Sequence, residues 1–166
     1  LKDYGVYGEV AVVPAYAVVK RPKGLTAVEA AAVWMAYITA YGALIDIAKI
    51  GKGDAVVITA ASSSVGLAAI QIANSVGAIS IATTRTSAKV SALKAAGAAH
   101  VVVTEEQDLV TAINAITNGK GARIVFDPVG GQGVDKLAQA TSPGGTLILY
   151  GGLSLEPTMF PVASAF

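Results

Sequence analysis

Residues 58–67 read "ITAASSSVGL" and close an apolar run, "DAVVIT", that begins at Asp54. A continuous apolar run ending in small residues reads as a strand buried on both faces. Beyond it, from Ser64 to about Val76, the residues Val65, Ala69, Ile72 and Val76 fall on one helical face, and Gly77 stops the helix. The serines therefore sit on a strand-to-helix turn, and what that turn holds decides how the rest of the chain is read.

The same alternation continues downstream. "ISIAT" (79–83), "HVVV" (100–103), "ARIVFD" (122–127) and "GTLILYG" (145–151) read as further buried strands. Between them, 87–97, 108–121 and 131–141 have helical patterns, the second with an Asn118-Gly119 terminus. Strands alternating with helices, joined by right-handed crossovers, give an α/β fold: a Rossmann-type, doubly wound parallel sheet. Five strands are visible where such sheets often have six, and the tail "SLEPTMFPVASAF" (154–166) has no finished element. Upstream, "GEVAVVP" (8–14) and "YAVVK" (16–20) read as small edge strands split by proline. Thr26 and Glu29 have capping-box spacing, so a helix should begin at Thr26, break before Gly42 and end near Ile50-Gly51. Two parts are expected: 1–24, small strands, and 25–166, the Rossmann-type domain.

Composition narrows the function. The chain has 166 residues, 54% of them apolar and 14% charged, with a net charge of +1. A field that weak does not gather nucleic acid or acidic lipid, so no nucleic-acid or membrane partner is expected. The uncharged run 30–45 falls short of the ~20 residues of a membrane span. With no cysteine and one histidine, His100, disulfides and an ordinary zinc tetrahedron are excluded. A cytoplasmic location is compatible with this.

The serine turn admits two readings. "SSSVG" is one residue away from the G-x-S-x-G nucleophile elbow, with Ser64 as the nucleophile. That reading needs a histidine late in the chain; His100 comes too early and opens a strand. The other reading is a phosphate cradle, in which unpaired N–H groups at the positive end of a helix face an anion. Aligned on Gly66, the stretch reads Ala61-x-Ser63-x-x-Gly66, a glycine-poor form of the dinucleotide fingerprint G-x-G-x-x-G. Every residue from Ala60 to Ser64 is small, and Ser63 or Ser64 can cap the helix. A tight turn that binds nothing would have the same composition.

The end of the second strand bears on the ligand. A NAD binder places an acid about 20 residues past the turn. Here "ATTRTSAK" (82–89) has no carboxylate and offers Thr83, Thr84, Arg85, Ser87 and Lys89. A guanidinium fork and an ammonium among hydroxyls suit a 2′-phosphate, so NADP(H) is expected in preference to NAD(H). The missing acid also argues against a methyltransferase-type sheet.

Several segments resemble the medium-chain dehydrogenase/reductase superfamily, particularly its quinone oxidoreductase-like branch. "AASSSVGLAAIQIA" resembles the motif A-A-x-G-G-V-G-x-x-A-x-Q-x-A. "MAYITAYGAL", "LKAAGAAHVV", "VFDPVGG" and "GGTLILYGGLS" stand in that family's order and spacing. The resemblance implies hydride transfer between a nicotinamide dinucleotide and a small-molecule carbonyl, enone or quinone. It implies Thr39 near the nicotinamide, Ser63, Ser64, Val65 and Gly66 at the pyrophosphate, and Thr84, Arg85 and Lys89 at the adenosine phosphate, flanked by Thr104. Val129, Gly130, Tyr150 and Gly151 would line the nicotinamide end. Met35 stands where zinc-dependent members have a cysteine ligand, so no zinc is expected. Family members are about twice as long. The strands at 8–20 look like the last part of their GroES-like substrate lobe, which makes this chain a cofactor half, part of a longer protein. In the family a sixth strand pairs across a homodimer. No catalytic residue is identified: Asp127, before proline, reads as a turn-former, and His100 as structural. A non-catalytic NAD(P)-binding or assembly module is the alternative.

Overall fold

The structure, a computed structural model, describes residues 5–165. Its sheet has five parallel strands in the order β3-β2-β1-β4-β5. The strands are β1 (Ala55–Ile58), β2 (Ile79–Thr84), β3 (His100–Val103), β4 (Ala122–Asp127) and β5 (Thr141–Leu149). The order reverses between β1 and β4, so their carboxyl ends form the crevice of a doubly wound sheet.

The strands are apolar on both faces because each face carries helices. On one face Val56, Ile58, Ala82, Ile124 and Phe126 pack with Ala40, Leu44, Ile70 and Leu93. These come from α1 (Ala27–Tyr41), the π-helical turn that follows it (Gly42–Ile47), α2 (Ser64–Ser75) and α3 (Val90–Ala95). On the other face Val57, Ile81, Val102 and Val125 pack with Leu109, Ile113 and Leu137, supplied by α4 (Leu109–Ile116) and α5 (Val134–Gln139). A further short helix, α6 (Val162–Ala165), closes the tail, where none was expected.

Helix α1 begins as its sequence dictates. The Thr26 N–H donates to Glu29 Oε2 at 2.8 Å, and the Glu29 N–H donates back to Thr26 Oγ1 at 3.2 Å, a complete capping box. The α-helix stops at Tyr41 and Gly42 opens the π-helical turn, which is the break expected there. The helical stretch Ala27–Ile47 is long and apolar enough to cross a membrane by length and composition. It exceeds the uncharged run because it takes in Glu29 and Asp46. Ala36, Ala40, Ala43 and Leu44 along it are buried in the protein's own core.

Two compact units divide at Trp34/Met35, inside α1. In the first unit the strands expected at 8–14 and 16–20 are not present. Bends occupy 7–10 and a 3-10 turn occupies Ala15–Ala17. A strand needs a partner for its N–H and C=O groups, and the described residues provide none for these runs. β5 begins earlier than expected. Ala122 pairs with Thr141 but Ile124 with Thr146, so residues 142–145 bulge out of register, with Pro143 on the bulge.

Candidate functional site

The turn after β1 is built for close approach. Thr59 continues the strand direction, its N–H donating to the Phe126 carbonyl of β4 at 3.1 Å. Ala60 then takes φ +44, and Ser63 becomes the N-cap of α2. The Ser63 Oγ accepts from the Gly66 N–H at 3.1 Å. Ser64 and Val65, the first two helical residues, have N–H groups for which a helix offers no internal partner. Gly66 has a packing role at this turn. It is buried, its amide is taken by Ser63, and a Cβ there would lie 2.6 Å from the Ala61 carbonyl oxygen. It lets the helix pack against the turn, as the third glycine of a dinucleotide fingerprint does.

A cleft of ≈ 690 Å³ opens at the carboxyl ends of the strands. Of the residues expected at a cofactor, Thr84, Arg85, Lys89, Thr104, Val129 and Gly130 line it. The Lys89 Nζ donates to Ser62 Oγ at 3.1 Å, which ties the cation after β2 to the serine turn. Thr104 is held to β2 by its N–H, 2.9 Å from the Thr84 carbonyl. Arg85 is exposed and makes no ion pair among the described residues.

Seven expected residues do not line the cleft: Ser64, Val65 and Gly66 at the start of α2, and Thr39, Ser63, Tyr150 and Gly151. The Thr39 hydroxyl donates to its own helix, to the Met35 carbonyl at 2.7 Å. Gly151 packs on Pro128, whose carbonyl oxygen a Cβ would meet at 2.9 Å. Ser63 is occupied as the helix cap. Tyr150 packs inward: its ring stacks on Phe126 with centroids 3.9 Å apart and planes 17° from parallel. Its hydroxyl is buried without a hydrogen-bond partner among the described residues. Burial, and then the nearby Asp127 charge, push that phenol up to about 12. Ser63 acts slightly in the opposite direction, although no hydrogen bond of acceptable geometry joins the two hydroxyls.

Asp127 is the turn-former its place before Pro128 suggested. It is fully buried; Oδ2 accepts from the Gly130 N–H at 2.8 Å, and Oδ1 accepts from the Thr59 hydroxyl. That bond shapes the turn that puts Gly130 at φ +69, where a side chain would be strained and would also meet Thr158 Oγ1 at 2.9 Å. Sequence reasoning missed Lys136 of α5 and Gln107, which also line the cleft. Lys136 lies 3.9 Å from Asp108, the N-cap of α4. Neither carries a motif; only the packing of α4 and α5 on one face of the sheet brings them there.

The sequence profile of the family described as zinc-binding dehydrogenase matches residues 64–166. The chain belongs to this family. Within the medium-chain dehydrogenase/reductase superfamily it is the cofactor-binding domain. Among relatives of this dehydrogenase family, the human "Synaptic vesicle membrane protein VAT-1 homolog" is 34% identical over 155 residues, covering 93% of this chain and 39% of that protein. The mitochondrial enoyl-[acyl-carrier-protein] reductase of Xenopus tropicalis is 31% identical, covering 88% and 43%. The crystal structure of Escherichia coli quinone oxidoreductase complexed with NADPH superposes with a TM-score of 0.79 at 30% identity, covering 86% of this chain and 44% of that one. The chain thus spans about two fifths of the length of these dehydrogenase relatives. The family description names zinc, but the donors present do not make a zinc centre. There is no cysteine, His100 is exposed at the start of β3, and no three His, Asp or Glu side chains gather among the described residues.

Proposed function

We propose that this chain is the cofactor-binding part of an NADP(H)-dependent oxidoreductase of the quinone oxidoreductase or alcohol dehydrogenase-like type. Its reaction is hydride transfer to or from a carbonyl, enone or quinone. The observation that carries the cofactor preference is the wall of the cleft after β2. Arg85 and Lys89 stand there among Thr83, Thr84 and Thr86, and no carboxylate stands with them. A NAD site needs an acid for the ribose diol at that place; a 2′-phosphate needs cations and hydroxyls. The Ser64 and Val65 amides, for which the helix offers no internal partner, supply the anion cradle beside it.

The dinucleotide, when bound, supplies or accepts the hydride. The residues here bind and orient it. The start of α2 takes the diphosphate, Arg85 and Lys89 the adenosine phosphate, and the Val129-Gly130 turn the nicotinamide half. The substrate is a small molecule, and the parent protein is a cytoplasmic homodimer needing no zinc from this chain. Titration by isothermal calorimetry checks the reading: NADPH binds at least tenfold more tightly than NADH, and the double variant R85A/K89A removes most of that difference. Equal affinities in the unaltered chain would reject the NADP(H) assignment, and binding of neither would reject the oxidoreductase reading. One observation favours a second reading, a non-catalytic binding module. Among the described residues, the cleft is lined by no histidine and by one carboxylate, whose oxygens are both occupied. Cofactor binding by a full-length parent that turns over no carbonyl, enone or quinone would favour that module.

A further inference from the structure

We infer that the buried carboxylate of Asp127 sets the redox-state preference of the site, favouring the positively charged oxidised nicotinamide over the neutral reduced ring. The inference rests on the dinucleotide reading above and goes beyond it.

Asp127 ends β4, is fully buried, and lies at the floor of the cleft. Both oxygens accept hydrogen bonds, from the Thr59 hydroxyl and the Gly130 N–H. No cation pairs with it among the described residues. The single ion pair found there is Lys136 with Asp108, at 3.9 Å on the exposed surface. A buried charge without a counter-charge is costly unless something else compensates it. Its field also reaches its surroundings, since Asp127 helps hold the Tyr150 phenol in its neutral form.

The cleft is therefore polarised. Arg85 and Lys89 stand at its β2 side, and the lone carboxylate at its β4 side. Lys136 is the third cation on the wall and is drawn toward Asp108. A dinucleotide lies across the point where the strand order reverses, with one nucleotide over each half of the sheet. With the phosphate-bearing adenosine at β2, the nicotinamide falls on the β4 side, over the Asp127 turn. Its ring is cationic when oxidised and neutral when reduced. A charge several ångströms away in a protein interior separates these two states by Coulomb attraction alone, without contact.

The test compares the dissociation constants of NADP+ and NADPH for the unaltered chain, Asp127→Asn and Thr59→Val. Asparagine can keep a bond to each partner while removing the carboxylate; valine removes one donor and keeps the carboxyl group. Asp127→Asn is expected to weaken NADP+ relative to NADPH about three- to tenfold. Thr59→Val is expected to leave the ratio within about twofold of the original or to move it toward NADP+. 2′-Phospho-ADP-ribose, which lacks the ring, should bind the unaltered chain and Asp127→Asn equally. An unchanged ratio in a folded Asp127→Asn chain overturns the inference, and so does an equal fall for both cofactors, which marks a purely structural role. A three- to tenfold fall in the ratio for Thr59→Val, which keeps the Asp127 carboxyl, also overturns it, and this result can be obtained even if Asp127→Asn does not fold. Failure of the unaltered chain to bind any of the three ligands overturns the dinucleotide reading itself; the other outcomes leave that reading intact.

Discussion

At Gly66 one hydrogen atom in place of a methyl group decides whether helix α2 can start where it does. A Cβ there would collide with backbone atoms of Ala61, which cannot rotate away. Gly66→Ala is expected to cost about 3 kcal/mol, the upper end for overpacking, measured by urea unfolding. The same glycine was legible in the sequence as the last position of a fingerprint, but its role there was not. Contact with a ligand and contact with a turn both demand a small residue, and only the backbone geometry separates them. Tyr150 shows the reverse case. Its place after β5 was legible, while the inward stacking on Phe126 was not, because a strand-end side chain can point to either side. Its buried hydroxyl has no partner, so Tyr150→Phe should leave stability at neutral pH unchanged or slightly raised. The tyrosine itself should show an alkaline effect. Its folded value, about 12, lies above the ordinary value of ~10 for an unfolded chain. Stability from this group is complete below the unfolded value and declines as pH rises through the folded one, because the native state then holds the extra proton. Tyr150→Phe should flatten that alkaline decline in thermal melts.

Elements followed the sequence where their signals were local and failed where a partner was needed. The Thr26–Glu29 capping box, the break at Gly42 and the Asn118-Gly119 stop all lie within a few residues of the bonds they make. Thr26→Ala should cost about 1 kcal/mol by unfolding and leave nucleotide affinity unchanged. Asp108 caps α4 in the same local way, accepting from the Thr111 N–H at 3.0 Å, and this bond, more than any other interaction, holds its carboxyl below its usual range. The expected strands at 8–14 and 16–20 have strand-forming side chains, yet the described residues give them no neighbour to pair with. The early start of β5 was hidden for a related reason. The bulge at 142–145 depends on how β5 meets Ala122, and "SPGG" by itself reads as a turn.

For the whole molecule, the consequence of the sheet order is a cleft at one end and an edge strand at each side, β3 and β5. Among the described residues β5 pairs with β4 alone, and beside it a second cavity of ≈ 810 Å³ is lined by Leu147, Leu149, Met159 and Phe160. Unpaired strand edges with apolar side chains associate. Sedimentation should therefore show concentration-dependent self-association of this chain, reduced in Leu149→Lys; monomeric behaviour at high concentration would count against the homodimer. By itself the amino-acid order determined the alternation of strands and helices, the parallel sheet and the strand-to-helix turn, because these rest on periodicity and on small residues at fixed spacing. Only the tertiary structure decided which side chains meet in the cleft. Arg85 and Lys89 follow β2, Gln107 follows β3, Asp127 ends β4 and Lys136 lies on α5, and they line one space only after the strand order reverses between β1 and β4.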